Sequence, residues 1–359
     1  MTTERYQEAP GQGDPFTNRA LSGQYAPGST FKLITAYAAL TTGLITPDTT
    51  YNARSSYRVE GCSGESCVFT QPGGPNGPIS IQAAITQSSD TFFYWMGDRF
   101  WRERGRFGET AIQDAGEAFG LGSPTGIPLP FERSGVMPTP QQRQERHEQN
   151  PEAFPNPRWR VGDNINISIG QGEVLVTPLQ LANAYATFAN GGTLYSPNVA
   201  ARGAGAEVRP RRPRGRGDPR RRASAVTDDL QIPPSIFQPM MGGFDGVTKS
   251  GTAAGVFEGW DHSLWSVGGK TGTAEVNGKD DTSLFVGFGP VSDPQYVTAV
   301  IVEQGGFGAE TAAPIVRRIL EPIANVYPMP PALTIEERLN APPPPPPAEG
   351  EAPAEAQGG

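Results

Sequence analysis

The chain has 359 residues, 36% of them hydrophobic, which is more length than one typical domain and enough apolar material for a sizeable core. Its net charge of −8 argues against general nucleic-acid binding through a basic surface, and its two histidines, His147 and His262, are too few and too scattered for a histidine metal centre or a Ser-His-Asp triad. No run reaches the roughly 20 apolar residues of a membrane helix, and the start "MTTERYQEAPGQGDPF" lacks the basic-then-apolar order of a signal peptide.

In chain order, residues 1–20 read as a lead-in segment. In "YAPGSTFKLITAYAALTTG" a Pro27-Gly28 turn runs into an apolar, helix-like stretch that sets Ser29 and Lys32 on one face, one turn apart. Ser29 is there either as a helix cap or as a nucleophile beside its base. Cys62 and Cys67 lack the further ligands of a zinc site. They form a local disulfide, contributing about 2 kcal/mol in an oxidising compartment, or remain free thiols. The apolar helical stretch "ISIQAAITQ" and the aromatic "TFFYWMG" meet at Ser88 and Asp90, which are caps of the second helix or polar groups placed for chemistry at the junction.

Further on, "TPLQLANAYATFANGG" predicts a helix with Thr177 as N-cap, Pro178 at the first position, Leu181, Tyr185 and Phe188 on the apolar face, and Gly191-Gly192 as the stop. The arginine-dense stretch at about 202–222 reads as an inserted loop, either solvated or in contact with anionic lipid or wall polymer. The runs "LWSVGGKTGTAEV", "SLFVGFGP" and "YVTAVIVEQ", separated by turns at Asn277-Gly278 and Ser292-Asp293-Pro294, predict an antiparallel meander. A closing helix follows with Ile315, Ile319, Leu320 and Ile323 on its buried face, and residues 328–359, rich in Pro, Glu and Ala, read as a disordered tail.

A serine hydroxyl is a weak nucleophile until a base takes its proton, and a lysine serves only when burial or a second cation lowers its pKa from about 10.4. A second lysine, a relay hydroxyl and a strand edge offering N–H groups are therefore required nearby. Ser88 is the candidate relay. For the lysine, "TKSGTAAG" at Lys249 competes with "GGKTGTAEV" at Lys270. Only the latter leads into a strand pair, so Lys270 is chosen, and Lys249 is expected in a loop or at a helix start. The small run Gly272-Thr273-Ala274 leaves room for a substrate backbone along the strand.

Ser29-x-x-Lys32, Ser88-x-Asp90 and Lys270-Thr271-Gly272, in that order, make the three-motif signature of the penicillin-recognising serine enzymes. From about Asn18 to Val326 the chain resembles the transpeptidase domain of class B penicillin-binding proteins, most closely the elongation-type penicillin-binding protein 2 group. "NRALSGQYAPGSTFKL", "GIPLPFERSGVMPT", "GDNINISIGQGEVLVTPLQLANAYATFANGG" and "LFVGFGP" also carry the likeness. The resemblance implies an α+β penicillin-binding protein/serine β-lactamase-like transpeptidase fold, an antiparallel sheet flanked by helices, with the domain spanning 21–327.

It implies that Ser29 attacks a peptidoglycan stem peptide, that Lys32 is its base and that Ser88 relays protons. Lys270 and Thr271 would bind the donor carboxylate beside Gly272 and Thr273, and the N–H groups of Ser29 and Thr273 would form the oxyanion hole. The implied partners are lipid-linked donor and acceptor stem peptides, β-lactams and a glycosyltransferase of the elongation machinery, at the extracytoplasmic face of the bacterial membrane. No cofactor is implied, and although some relatives of that group carry a metal near the cleft, two histidines and the closely spaced Cys62 and Cys67 make no case for one here. Asp90 stands where the family usually has asparagine, so its substrate contact differs or it pairs with Lys32.

Only 28 residues precede Ser29, so the chain reads as a fragment, a split gene product or a misplaced start, with three sheet strands where the family has five, an exposed edge and low stability alone. Three alternatives share the motifs. A serine β-lactamase is disfavoured by the separation of 182 residues from Ser88 to Lys270. A D,D-carboxypeptidase would use water as acceptor, and a β-lactam-sensing or scaffold protein would keep the pocket without turnover.

Overall fold

The computed structural model describes residues 17–199 and 226–325. Most of the lead-in, the arginine-dense stretch at 202–222 and the tail at 328–359 fall outside the described residues.

The stretch after Ser29 has almost no polar face, and it forms a helix sunk in the core on nearly all sides. A 3-10 turn at Gly28–Phe31 continues into α1 (Lys32–Thr41), whose Leu33, Ile34, Ala36, Ala38, Ala39 and Leu40 are all buried. Two short hairpin-like pairs follow: β1 (Tyr51–Ala53) with a later β4 (Gly77–Ile79), and inside it β2 (Ser56–Arg58) with β3 (Val68–Thr70). Cys62 and Cys67 are joined by a disulfide in the loop between β2 and β3, with Cα atoms 5.7 Å apart.

The helices α2 (Ile81–Thr86) and α3 (Asp90–Arg102) come next, then α4 (Pro140–Gln149) and α5 (Val161–Ser168). Gly97 lets α3 and α5 approach closely: a Cβ there would stand 2.8 Å from the Asn164 carbonyl oxygen. Two buried bonds fasten the pair, Ser168 Oγ to the Phe93 carbonyl at 3.0 Å and Asn164 Nδ2 to the Gly97 carbonyl at 2.8 Å. The helix expected after Thr177 forms as α6 (Pro178–Ala189), with Thr177 and Gln180 in a reciprocal capping box and Leu181, Tyr185 and Phe188 buried.

Beyond the small pair β5 (Thr193–Tyr195) and β6 (Val226–Asp229) lies α7 (Pro234–Lys249). Lys249 is thus the last residue of a helix, paired with Asp245 at 2.6 Å, rather than in a loop or at a helix start. An i,i+4 carboxylate on the same face holds it there, at the end the helix dipole favours for a cation.

The expected meander is present as β7 (Gly268–Ala274), β8 (Thr282–Gly289) and β9 (Tyr296–Val302), antiparallel throughout, in the order β7-β8-β9. Every residue of β8 is buried, because it alternates between two cores. Phe288 meets Tyr185 and Phe244 on one face; Phe285 meets Phe257 on the other. The outer edge of β9 pairs with no strand among the described residues.

The closing helix, α8 (Ala312–Ala324), covers the second core with Leu320 as expected, but Ile315, Ile319 and Ile323 do not share that face. Ala312, Ala313, Val316 and Leu320 are buried, while Ile315, Ile319 and Ile323 are exposed at 41%, 41% and 39%. Two apolar stripes run along this helix about 100° apart, each with i,i+4 spacing. The sheet covers the one with the smaller side chains, which lets the helix axis come close: a Cβ on Gly287 would stand 2.6 Å from Val316.

Candidate active site

Two glycines with positive φ bring the Ser29 turn to the sheet. Gly28 has φ of +52, and a Cβ on it would lie 2.4 Å from the Thr273 carbonyl oxygen on β7. Gly170, just past α5, has φ of +72, and a Cβ there would lie 2.2 Å from the Gly28 carbonyl oxygen. The Gly28 N–H donates to the Gly170 carbonyl at 3.0 Å. Three backbone segments therefore meet with no side chain between them. Tyr185 fixes the far side of the turn, its hydroxyl 2.8 Å from the Thr30 carbonyl. We expect Gly28→Ala to cost about 1–3 kcal/mol or more, since both the strained φ and the clash act at once. A thermal melt unchanged from the parent would contradict this.

Ser29 makes no side-chain capping bond, so the cap reading is not realised. As the second residue of the 3-10 turn, its N–H has no acceptor within that turn. Lys32, one turn on, is fully buried. Its Nζ donates to the Ser88 carbonyl at 2.7 Å, to Ser88 Oγ at 3.0 Å and to Asp90 Oδ1 at 2.5 Å. Lys270, equally buried, donates to the same Ser88 Oγ at 2.7 Å and to the Thr271 carbonyl at 3.1 Å.

Ser88 thus stands between the two lysines. Its Oγ has two lone pairs, both directed at ammonium groups, which leaves its own O–H free to donate elsewhere. The loop that presents it is strained: Ser88 has φ of +55, the left-handed region that a residue with a Cβ enters at a cost of about 1–3 kcal/mol. That turn aims both its carbonyl and its hydroxyl at Lys32. The N-cap of α3 is Ser89, without a side-chain cap bond, so neither Ser88 nor Asp90 serves as the cap.

Burial pushes the Lys32 amine below the ordinary lysine range, opposed by the charge and hydrogen bond of Asp90. Lys270 is pushed well down by burial first and by the nearby Lys32 cation second, with Asp90 opposing. Two cations on one oxygen, with one carboxylate to share, favour loss of a proton from the pair.

On β7, Lys270 and Gly272 share one face and Thr271 and Thr273 the other. Gly272 packs against the Ser29 turn, where a Cβ would meet Thr30 at 2.9 Å. The Thr273 carbonyl accepts from Gln171 Nε2 at 3.4 Å, away from β8. In an extended strand one residue's N–H and C=O point the same way, so the Thr273 N–H also faces the Ser29 turn. The structure therefore brings together Ser29, Lys32, Ser88, Asp90, Lys270, Thr271, Gly272 and Thr273. The disulfide lies apart, in the loop joining β2 to β3.

Three neighbours were not anticipated from sequence. Gly170 and Gln171 arrive in the turn after α5, and Thr252 comes from the "TKSGTAAG" segment, its hydroxyl 2.8 Å from that of Thr271. Thr252 is wedged there because Gly251 passes the end of α2 so closely that a Cβ would meet the Thr86 carbonyl at 2.3 Å. The signal was the run of small residues, Ser250-Gly251-Thr252-Ala253, which suits close backbone approach.

Residues 1–321 match the family model of the penicillin binding protein transpeptidase domain. The peptidoglycan D,D-transpeptidase MrdA of Acinetobacter baumannii is 31% identical over 313 residues, 83% of this chain and 42% of that protein. Among solved structures, Pseudomonas aeruginosa PBP2 in complex with WCK 5153 aligns with TM-score 0.73 at 28% identity, covering 90% of this chain and 66% of the other. Penicillin-binding protein A of Mycobacterium tuberculosis, as a ceftriaxone acyl-enzyme complex, aligns with TM-score 0.65 at 26% identity, covering 89% and 65%. The chain spans about half the length of the curated relatives it matches.

Proposed function

The chain belongs to the penicillin-binding protein transpeptidase family, and from that premise we propose that it is a peptidoglycan D,D-transpeptidase that cross-links stem peptides through a Ser29 acyl-enzyme. The observation that supports this most is the Ser88 hydroxyl held by both lysine amines, at 3.0 and 2.7 Å, beside the Ser29 turn.

In this reading neutral Lys32 takes the proton of Ser29 Oγ as it attacks the carbonyl of the penultimate D-alanine. The N–H groups of Ser29 and Thr273 receive the developing oxyanion, where one lost donor typically costs about 100- to 1,000-fold. Terminal D-alanine leaves with a proton from Ser88, which Lys32 restores. An amine of a second stem then attacks the ester carbonyl, giving up a proton through Ser88 to Lys32, which returns it to Ser29 Oγ as the ester C–O bond breaks. A β-lactam takes the donor's place and leaves Ser29 as a slow ester.

Asp90 favours the charged form of Lys32, so in the free site the proton deficit rests on Lys270. A donor carboxylate arriving at Lys270 and Thr271 reverses this balance. Ser88 then passes one proton to Lys270 and takes one from Lys32, which becomes the neutral base only when substrate is bound.

Thr252 orients the Thr271 hydroxyl for that carboxylate. Thr252→Val is expected to raise the KM for a donor peptide about 5- to 10-fold, the worth of one hydrogen bond, with kcat near the parent value and Thr252→Ser restoring KM. A fall in kcat with KM unchanged would contradict it.

We further propose that the activity works at the extracytoplasmic face, where peptidoglycan is assembled, beside a glycosyltransferase. A solved peptidoglycan synthase complex that coordinates polymerization and crosslinking supports the partner, with TM-score 0.72 and 27% identity over 92% of this chain. Supplying lipid-linked donor and acceptor and resolving the products tests the reaction. Cross-linked dimers are expected; trimmed stems alone would make the chain a carboxypeptidase.

A further inference from the structure

Four arginines converge on one surface pocket of about 390 Å³ outside the Ser29 array. Arg143 and Arg146 come from α4, and Arg158 and Arg160 from the segment leading into α5, with Asp163 and Glu173 between them. Arg143 is the fixed member: its side chain is 13% exposed, its guanidinium lies 4.7 Å from the centre of the Trp159 ring, and it pairs with Asp163 at 2.8 Å and Glu173 at 2.6 Å. Its Nε is buried with no hydrogen-bond partner. Arg146 pairs with Glu173 at 3.0 Å.

The two carboxylates are thus engaged by the first two arginines. Arg158 and Arg160 are exposed and form no ion pair with the described residues. In a chain of net charge −8, four guanidiniums with two carboxylates leave a local surplus of positive charge, which an anion would relieve.

Its location ties the pocket to the cleft. Glu173, which braces two of the arginines, lies two residues after Gln171, whose amide reaches the Thr273 carbonyl on β7. Two residues span at most about 7 Å. The pocket wall therefore begins beside the end of β7.

Resting on the transpeptidase reading, we infer that this pocket is a subsite for a side-chain carboxylate of the stem peptide. Arg158 and Arg160 close on that carboxylate, while Arg143 and Arg146 form the prearranged wall. The same guanidinium chemistry accepts a phosphate, so the test must separate the two sources.

Equilibrium binding of a stem peptide to the full chain carrying Ser29→Ala, which cannot turn over, provides that test. The peptide is compared with its derivative amidated at the side-chain carboxylate, the terminal D-Ala carboxylate left free. Amidation is expected to weaken binding about tenfold, and by less than about twofold once Arg158→Ala and Arg160→Ala are added. Equal discrimination with and without the arginines would overturn the inference, as would no discrimination in the Ser29→Ala chain. Displacement of both peptides alike by millimolar inorganic phosphate, only while the arginines are present, would make it a phosphate site and overturn it too. Penicillin labelling of the parent chain reports separately on the transpeptidase reading: its absence would sink that reading and leave the binding comparison intact.

Discussion

Replacing Lys32 with alanine is expected to slow acylation of the chain by penicillin about 100- to 10,000-fold, the range that a general base supplies. Lys32 is buried beside the Ser29 turn, and its amine is bonded to Ser88 and Asp90, so no solvent base can take over its position. Alanine also leaves a void under Phe93, whose ring centre lies 5.2 Å from the amine, and strips Asp90 of its partner. Lys32→Met keeps the volume and separates the two effects. If the methionine variant melts like the parent yet acylates within tenfold of it, Lys32 is not the base.

The pH dependence gives the second large effect. The reactive form needs Lys32 neutral, so the acylation rate should climb about tenfold per pH unit on the acid side and level off above the pKa of Lys32 in the site. Burial lowers that pKa and Asp90 opposes the lowering. Asp90→Asn removes the opposing charge while keeping the shape, so the pKa falls further. At a given acidic pH more Lys32 is then neutral, and the acid limb moves to lower pH. Rate profiles for the parent and Asp90→Asn check this. A limb that stays in place, or moves to higher pH, would show that Asp90 does not govern the base.

Sequence revealed the parts of the site that rest on local order. Lys270 could be chosen over Lys249 because only its segment leads through a turn into a strand pair, and strand pairing is written locally in alternation and turn residues. The helix after Thr177 was equally legible from its Thr-Pro start, its apolar face and its Gly-Gly stop. Periodicity shows that α8 has apolar stripes but not which of them meets the sheet, and the choice fell to the stripe that packs against Gly287. Thr252, Gln171 and the arginine pocket depend on segments brought together across the fold, with no local pattern to announce them. The strained Ser88 backbone was hidden for a different reason: φ of +55 belongs to the turn that ends α2, where the Ser88 N–H donates to the Ile85 carbonyl at 3.2 Å and the Ser89 N–H to the Ala84 carbonyl at 3.0 Å, and a glycine, not a serine, is the usual signal for such a turn. Asp90 could be seen as a departure from asparagine with two options open, and the fold takes the ion pair with Lys32.

The most direct test is the mass of the intact folded chain after incubation with benzylpenicillin, followed by peptide mapping. A gain of one penicillin per chain, located on the peptide containing Ser29 and absent from Ser29→Ala, is the predicted result. Folded protein that gains no mass, or carries the adduct on another residue, would contradict the proposal that Ser29, Lys32, Ser88 and Lys270 form one acyl-transfer site.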